Sequence, residues 1–251
     1  MAGHSKFKNI MHRKGAQDKK RAKLFSRLIR EISVAAKLGG ADSDSNPRLR
    51  TAVNNALSSN MSKDNIERAI KKNSSDTNDE QIQEILYEGF GPSGVAIIIE
   101  CLTDNRNRSA SEIRSTFSKY GGNLGVNGCV QHNFQKNGVI SYKKNIDNFE
   151  IFFDKCVSLN AEDVAENENT YEVFTSLELF NSIIIELEKK YNLANFTSIE
   201  WRPVNLVDIT HEQDAKNLIK LLEKLEDLDD VQSVSANFNI SDELMEKIVE
   251  E

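Results

Sequence analysis

Apolar residues recur at three- and four-residue steps near the start of the chain. Leu24, Phe25, Leu28, Ile29, Ile32, Ala35 and Ala36 form one stripe, which predicts a helix over about Gln17 to Leu38. Gly39-Gly40 ends it as a glycine C-cap does. Asn46-Pro47 opens a second helix, an N-cap followed by proline at the first helical position, with Leu49, Ala52, Val53, Ala56 and Leu57 as its core face. After Ser59-Asn60-Met61, Ser62 caps a third helix with Ile66, Ala69 and Ile70 inward. The stretch from Asn73 to Glu80 carries no apolar anchor and reads as a linker.

Beyond the linker, strands alternate with helices. Val95–Leu102 (strand), Ser109–Tyr120 (helix) and Cys129–Phe134 (strand) form a first βαβ group. Val139–Tyr142, Phe149–Leu159, Glu162–Ala165, Tyr171–Phe174, Leu177–Tyr191 and Ser198–Trp201 follow as βαββαβ, a complete ferredoxin-like plan. Asn205–Ile209, Gln213–Leu225 and Val231–Phe238 give a last βαβ. The outer halves can pair around the middle unit. The expected fold is therefore α+β: an N-terminal three-helix domain followed by two ferredoxin-like α/β domains, one inserted in the other. The expected boundaries are 1–79 for the basic helical domain, 80–135 with 203–241 for the discontinuous domain, 136–202 for the inserted domain, and 242–251 for a C-terminal tail.

Charge changes this picture. The 251-residue chain has a net charge of -7, yet residues 1–73 hold 17 Lys and Arg against 6 Asp and Glu. The rest holds 15 against 33. Such asymmetry points to a basic module that docks on a polyanion, carried by an acidic body. On the first helix, Lys20, Lys23, Arg27 and Arg30 make a second stripe about 200° around from the apolar one. It continues a segment bearing Lys6, Lys8, Arg13, Lys14, Lys19 and Arg21, in which Asp18 is the sole acid before Glu31. A solvated face normally mixes signs; like charges at this density repel unless phosphates answer them.

Two other features bear on recognition. The second and third helices trace the outline of a helix-turn-helix, which would put Lys63, Asn65, Arg68, Lys71 and Lys72 on a reading helix, although any small bundle has such a corner. The cluster Asp104-Asn105-Arg106-Asn107-Arg108 follows a strand and enters a helix. Either it caps that helix with local ion pairs, or Arg106 and Arg108 extend a phosphate-binding surface, for which guanidinium forks are suited.

Other chemistry finds little footing. The longest apolar run is Val95 to Ile99, short of a membrane span, and the start MAGHSKFKNI lacks the apolar core of a secretory signal. A cytoplasmic protein with no membrane partner is expected. Cys101, Cys129 and Cys156 are odd in number and far apart, as suits reduced thiols in or near the core. His4, His12, His132 and His211 show no ligand spacing, so no metal is expected. Gly89-Phe90-Gly91-Pro92-Ser93-Gly94 matches the dinucleotide fingerprint literally, but it precedes a strand and contains Pro92, so it reads as a turn. No nucleophile elbow or phosphate loop is present. Neither catalytic residues, a cofactor nor a small-molecule substrate is expected.

Longer motifs carry a resemblance. Ala2-Gly3-His4-Ser5-Lys6, His12-Arg13-Lys14 through Arg21, Ala35-Ala36-Lys37-Leu38-Gly39-Gly40 and Asn46-Pro47-Arg48-Leu49-Arg50 resemble the YebC/PmpR family. So do Tyr87-Glu88-Gly89, Gly91-Pro92, the run Thr103 to Arg108, Gly121-Gly122-Asn123-Leu124-Gly125 and Asp229-Asp230-Val231-Gln232. The motifs span essentially the whole chain; Phe7 stands where the family usually has Trp, and Cys129 where it usually has Ser. The resemblance implies a cytoplasmic, three-domain regulator of transcription that binds DNA. Mitochondrial relatives act as translational activators, and bacterial members have been tied to ribosomes stalled on proline-rich stretches. Two expectations follow, a DNA-binding transcriptional regulator or a ribosome-associated translation factor that grips ribosomal or transfer RNA and relieves stalled translation. A third, blander reading is an acidic protein–protein scaffold with a basic tail.

Overall fold

The computed structural model describes residues 17–72 and 82–250, with side chains for 21–71 and 82–248. In chain order the helical region holds α1 (Gln17–Gly39), α2 (Pro47–Ser58) and α3 (Lys63–Lys72). Next come β1 (Gln83–Phe90), β2 (Ala96–Thr103), α4 (Arg106–Lys119), β3 (Asn123–Leu124) and β4 (Phe134–Lys143). α5 (Phe149–Ser158), β5 (Asp163–Glu166), β6 (Thr170–Thr175), α6 (Leu177–Tyr191) and β7 (Phe196–Pro203) follow. The last elements are β8 (Val207–Ile209), α7 (Glu212–Glu226), β9 (Val231–Ala236), β10 (Phe238–Ile240) and α8 (Asp242–Glu250). The described residues fall into two compact units, one of residues 18–72 and 136–200, the other of residues 82–135 and 201–250.

In the first unit, Leu28, Ile32, Ala35, Leu49, Ala52, Ala56, Ile66 and Ala69 form the core of a three-helix bundle. α1 has 23 residues, α2 only 12 and α3 only 10. At 1.5 Å per residue α1 is about 34 Å long and α2 about 18 Å. The first turns of α1 therefore outrun their partners, and burial begins at Leu28. This corrects the expected stripe, since Leu24 and Ile29 are 40% and 37% exposed. Asn46 locks the α1–α2 corner. Its amide nitrogen donates to the carbonyls of Ala35 (2.8 Å) and Gly40 (2.9 Å), while its Oδ1 caps α2 by accepting from the Leu49 N–H at 3.1 Å.

The inserted sheet has strand order β5-β6-β4-β7. Numbered from β4, that order is 2-3-1-4, the ferredoxin-like arrangement, with α5 and α6 packed on a core of Tyr142, Phe152, Tyr171, Val173, Phe180, Ile183 and Leu187. Its edge strand β7 is covered by α2. Asn55 of α2 is buried and pairs with Thr197 as another strand would, donating to its carbonyl at 2.6 Å and accepting its N–H at 2.9 Å. Ser58 adds a bond to the Ala194 carbonyl at 3.3 Å. The side-chain amide thus satisfies a polar edge that would otherwise invite another chain.

The second unit is an antiparallel sheet of order β3-β1-β2-β9, with a small parallel pair β8–β10. Ile97, Ile99, Ile113, Phe117, Leu218, Leu221 and Leu222 form its helix-covered core. Three differences from expectation stand out. β1 was not expected and pairs with β2 along its whole length. No strand forms over Cys129–Phe134; a turn and a short 3-10 segment lead instead into one strand that starts at Phe134. The expected tail is helix α8, because Leu244, Met245 and Ile248 share a face that packs on this core.

Candidate nucleic-acid interface

The expected phosphate-binding residues fall into three groups. Lys6, Lys8, Arg13 and Lys14 lie outside the described residues, and Lys19 and Lys20 are described only as backbone of α1. Arg21 is exposed, with its guanidinium 5.3 Å from the centre of the Phe25 ring. That contact steadies the side chain while leaving its hydrogen-bond donors at the surface. Lys23, Arg27 and Arg30 are half-buried. Long basic side chains commonly cover apolar surface with their stems while the charged head stays at the rim. Arg21, Lys23 and Arg27 all sit on the part of α1 that precedes the core residue Leu28.

Other cations of the helical region serve the fold. Arg48 makes a fork to Glu31, Nε to Oε1 at 2.6 Å and Nη2 to Oε2 at 3.1 Å, which ties α2 to α1. Arg50 donates to the carbonyls of Ser43 (3.0 Å) and Asp44 (2.7 Å), holding the α1–α2 loop. On α3, Lys63 and Arg68 are exposed, Asn65 is half-buried and Lys71 lies 3.4 Å from Glu67 one turn back. α1 thus carries the largest number of basic residues, seven against four on α3.

The strand-to-helix arginines behave differently from each other. Arg108 donates to Asp104 at 2.6 Å and to Asp230 at 2.9 Å. Asp230, almost wholly buried, also accepts from the hydroxyls of Thr103 (2.9 Å) and Ser109 (2.7 Å). Burial alone would raise the Asp230 carboxyl. The Ser109 and Thr103 hydroxyls and the Arg108 guanidinium outweigh it and hold the group below its usual range. The same bonds, Asp230 foremost and then Asp104, raise the pKa of Arg108. Asn105 caps the helix by accepting the Arg108 N–H at 3.1 Å. Arg108 is thereby engaged in local ion pairs, whereas the Arg106 side chain is exposed and its backbone carbonyl accepts from the Tyr87 hydroxyl at 3.1 Å.

One arrangement escaped the sequence reading. Glu88 on β1 is 2% exposed, and its carboxylate gathers three backbone N–H groups from the loop after β3. Oε1 accepts from Gly128 at 2.6 Å, and Oε2 from Val130 at 2.8 Å and Gln131 at 3.0 Å. The Glu88 carbonyl also accepts the Gly125 N–H at 2.8 Å. Gly128 sits at φ +83°, where a side chain would be strained. A signal for this loop existed: from Tyr120 to Gln135 there is no Asp, Glu, Lys or Arg, in a chain that is 28% charged.

The remaining motifs are structural. Gly89 and Phe90 end β1, and Gly91 to Val95 makes the β1–β2 hairpin turn, with Ser93 at φ +57°. Cys101 and Cys156 are buried and Cys129 is half-buried; burial pushes the Cys156 thiol up to about 12. Among the described residues no group of three or more His, Cys, Asp or Glu is placed to hold a metal ion, and no helix is long and apolar enough to cross a membrane. A cavity of about 40 Å³ between α2 and α6, lined by Arg50, Asn54, Asn181 and Glu188 among others, has room for about one water, far below the size of an organic-ligand site.

Comparison with known proteins adds the lineage. The chain is 48% identical to a probable transcriptional regulatory protein of Rickettsia bellii, over 98% of this chain and 96% of that one. A protein of the same description from Geobacter sulfurreducens is 49% identical over 99% of this chain and 100% of its own length. The crystal structure of a conserved hypothetical protein from Aquifex aeolicus superposes with a TM-score of 0.85 at 45% identity, covering 90% of this chain and 93% of that one. Residues 5–76 match the family model for the TACO1/YebC protein N-terminal domain, and residues 82–238 match that for the TACO1/YebC second and third domain. The chain belongs to the TACO1/YebC family.

Proposed function

We propose that this protein is a non-enzymatic, cytoplasmic regulator of gene expression that grips nucleic acid by its phosphate backbone, through α1 and the basic segment before it. The observation that carries this reading is the concentration of charge. Seventeen cations meet only six acids over residues 1–73, and two of the arginines, Arg48 and Arg50, serve the fold. The names of the relatives favour transcription as the process and DNA as the partner. Backbone grip without base reading suits ribosomal or transfer RNA as well. The RNA reading, a translation factor on the ribosome, is favoured by the mixed charge of α3, where Asp64 and Glu67 lie among the exposed Lys63, Arg68 and Lys71. Arg106 remains a candidate for a supporting contact, and Arg108 a weaker one.

The test is crosslinking in growing cells, followed by isolation of the protein and sequencing of attached RNA and DNA together. Enrichment at discrete promoters supports transcriptional control. Enrichment of ribosomal or transfer RNA at defined positions supports translational control. Recovery of neither overturns the nucleic-acid reading and leaves the scaffold.

A further inference from the structure

We infer that the loop Gly125–Gln131 is a rigid tip that reads unpaired RNA bases, with Val126, Asn127 and Gln131 as its contact residues and the neighbouring His132 as support. The inference rests on the nucleic-acid reading above and adds a second, base-directed contact to it.

Rigidity is the first argument. A buried carboxylate, Glu88, holds three of the loop's N–H groups, and the Glu88 carbonyl takes a fourth. A loop clasped at both ends cannot collapse to hide its side chains. Val126 is nevertheless 76% exposed, and Asn127, Gln131 and His132 are exposed around it. The fold spends a buried charge on presenting an aliphatic group and two amides to solvent.

Charge is the second argument. Residues 74–251 carry 15 cations against 33 acids, so most of this body repels a polyanion. The stretch Tyr120–Gln135 carries no fixed charge of either sign. The stretch itself adds no side-chain repulsion to an approaching nucleic acid, and offers no cation for its phosphates. The N–H groups that could have cradled a phosphate are already filled by Glu88. What remains is chemistry for bases. Carboxamides donate and accept on base edges, an aliphatic side chain packs on a base face, and imidazole stacks. The loop is neither a helix nor a two-stranded ribbon that would fill a DNA major groove, and it has no arginine for a narrow minor groove. Unpaired bases, the usual target of sequence-reading RNA proteins, fit it best.

Two measurements on the full chain decide the matter. First, a benzophenone amino acid replaces Val126 in cells, with the exposed Val157 of α5 replaced in a control. Ultraviolet capture of RNA from position 126 and not from 157 is expected. Capture of DNA alone, of protein alone, or of nothing at 126 overturns the proposal. Second, binding is measured to a fluorescent 20-nucleotide RNA of mixed, unstructured sequence and to the same RNA as a duplex. N127A/Q131A, which removes side chains that do not touch Glu88, should weaken the unpaired RNA by about tenfold, leave the duplex unchanged and leave the salt dependence unchanged. If that variant binds unpaired RNA like the parent while K20Q/K23Q/R27Q/R30Q does not, the tip fails and the grip stands. If the parent binds neither RNA, the tip proposal fails outright. The RNA branch of the grip reading then goes with it, leaving DNA.

Discussion

In the helical region two buried amides fasten the structure, beside the arginines Arg48 and Arg50. Asn46 ties α1 to α2, and Asn55 fastens α2 to strand β7. In the domain built on β1 and β2 one buried amide, Asn237, accepts the Ala96 N–H at 2.7 Å, and two buried carboxylates join it. Glu88 takes three backbone N–H groups, and Asp230 takes two hydroxyls and a guanidinium. The contrast has a physical sense. Neutral fasteners leave the net positive charge of the helical region intact, whereas anionic fasteners add to the negative charge of the body and absorb Arg108. One region stays net positive, as the proposed grip on a polyanion needs, and the other uses two of its acids internally.

The strongest way to break the contrast is to remove an anionic fastener. Glu88→Ala strands three buried N–H groups and should destabilise the protein by about 3 kcal/mol, read from urea unfolding, with hydrogen exchange rising first at Gly128, Val130 and Gln131. Glu88→Gln keeps an acceptor and should lose less. Asp230→Ala comes next, at about 2 to 3 kcal/mol, since it leaves Thr103, Ser109 and Arg108 without their shared acceptor. This group also sets a pH dependence. Its folded carboxyl is held below the usual value, so its stabilisation is fully present above the unfolded pKa of about 4 and fades as pH falls through the lower folded value. Asp230→Asn should flatten the acid limb of stability against pH; an unchanged limb would remove Asp230 as its source.

A smaller effect is expected at the neutral fastener. Asn55→Ala unpairs the N–H and carbonyl of Thr197 and should cost about 1 to 2 kcal/mol. Unlike the Asp230 variants, it should show no pH dependence of its own, so acid titration separates these two fasteners. A pH-dependent loss at Asn55 would blur the distinction drawn here.

Much of this was legible in the chain. The Asn46-Pro47 signal and the Gly39-Gly40 stop placed the α1–α2 corner, because capping chemistry is local. α6 runs over Leu177–Tyr191, the span its periodicity predicts. The misses have physical causes. β1 was hidden because Glu88 occupies a buried strand position, where an apolar residue would have completed the pattern. Cys129 and Val130 look like strand residues, but the Glu88 carboxylate holds the N–H groups of Gly128 and Val130, 40 and 42 residues away in sequence, and the Cys129 N–H turns back to the Val126 carbonyl. The two roles weighed for Arg108 could not be separated because its main partner, Asp230, lies 122 residues downstream. The basic stripe, expected about 200° around α1 from the apolar one, is partly buried in the structure: Lys23, Arg27 and Arg30 are half-buried and the Arg27 Nε is covered.

The central claim is that the cations of α1 hold phosphates, and the salt dependence of binding tests it most directly. Affinity for a nucleic-acid probe is measured across ionic strength for the parent and for K20Q/K23Q/R27Q/R30Q, with unfolding curves showing that both are equally folded. Each lost phosphate contact lowers the slope of log affinity against log salt by about 0.7 to 0.9. The account predicts a slope smaller by about 3 and weaker binding at low salt. An unchanged slope would contradict it and take the stripe out of the interface.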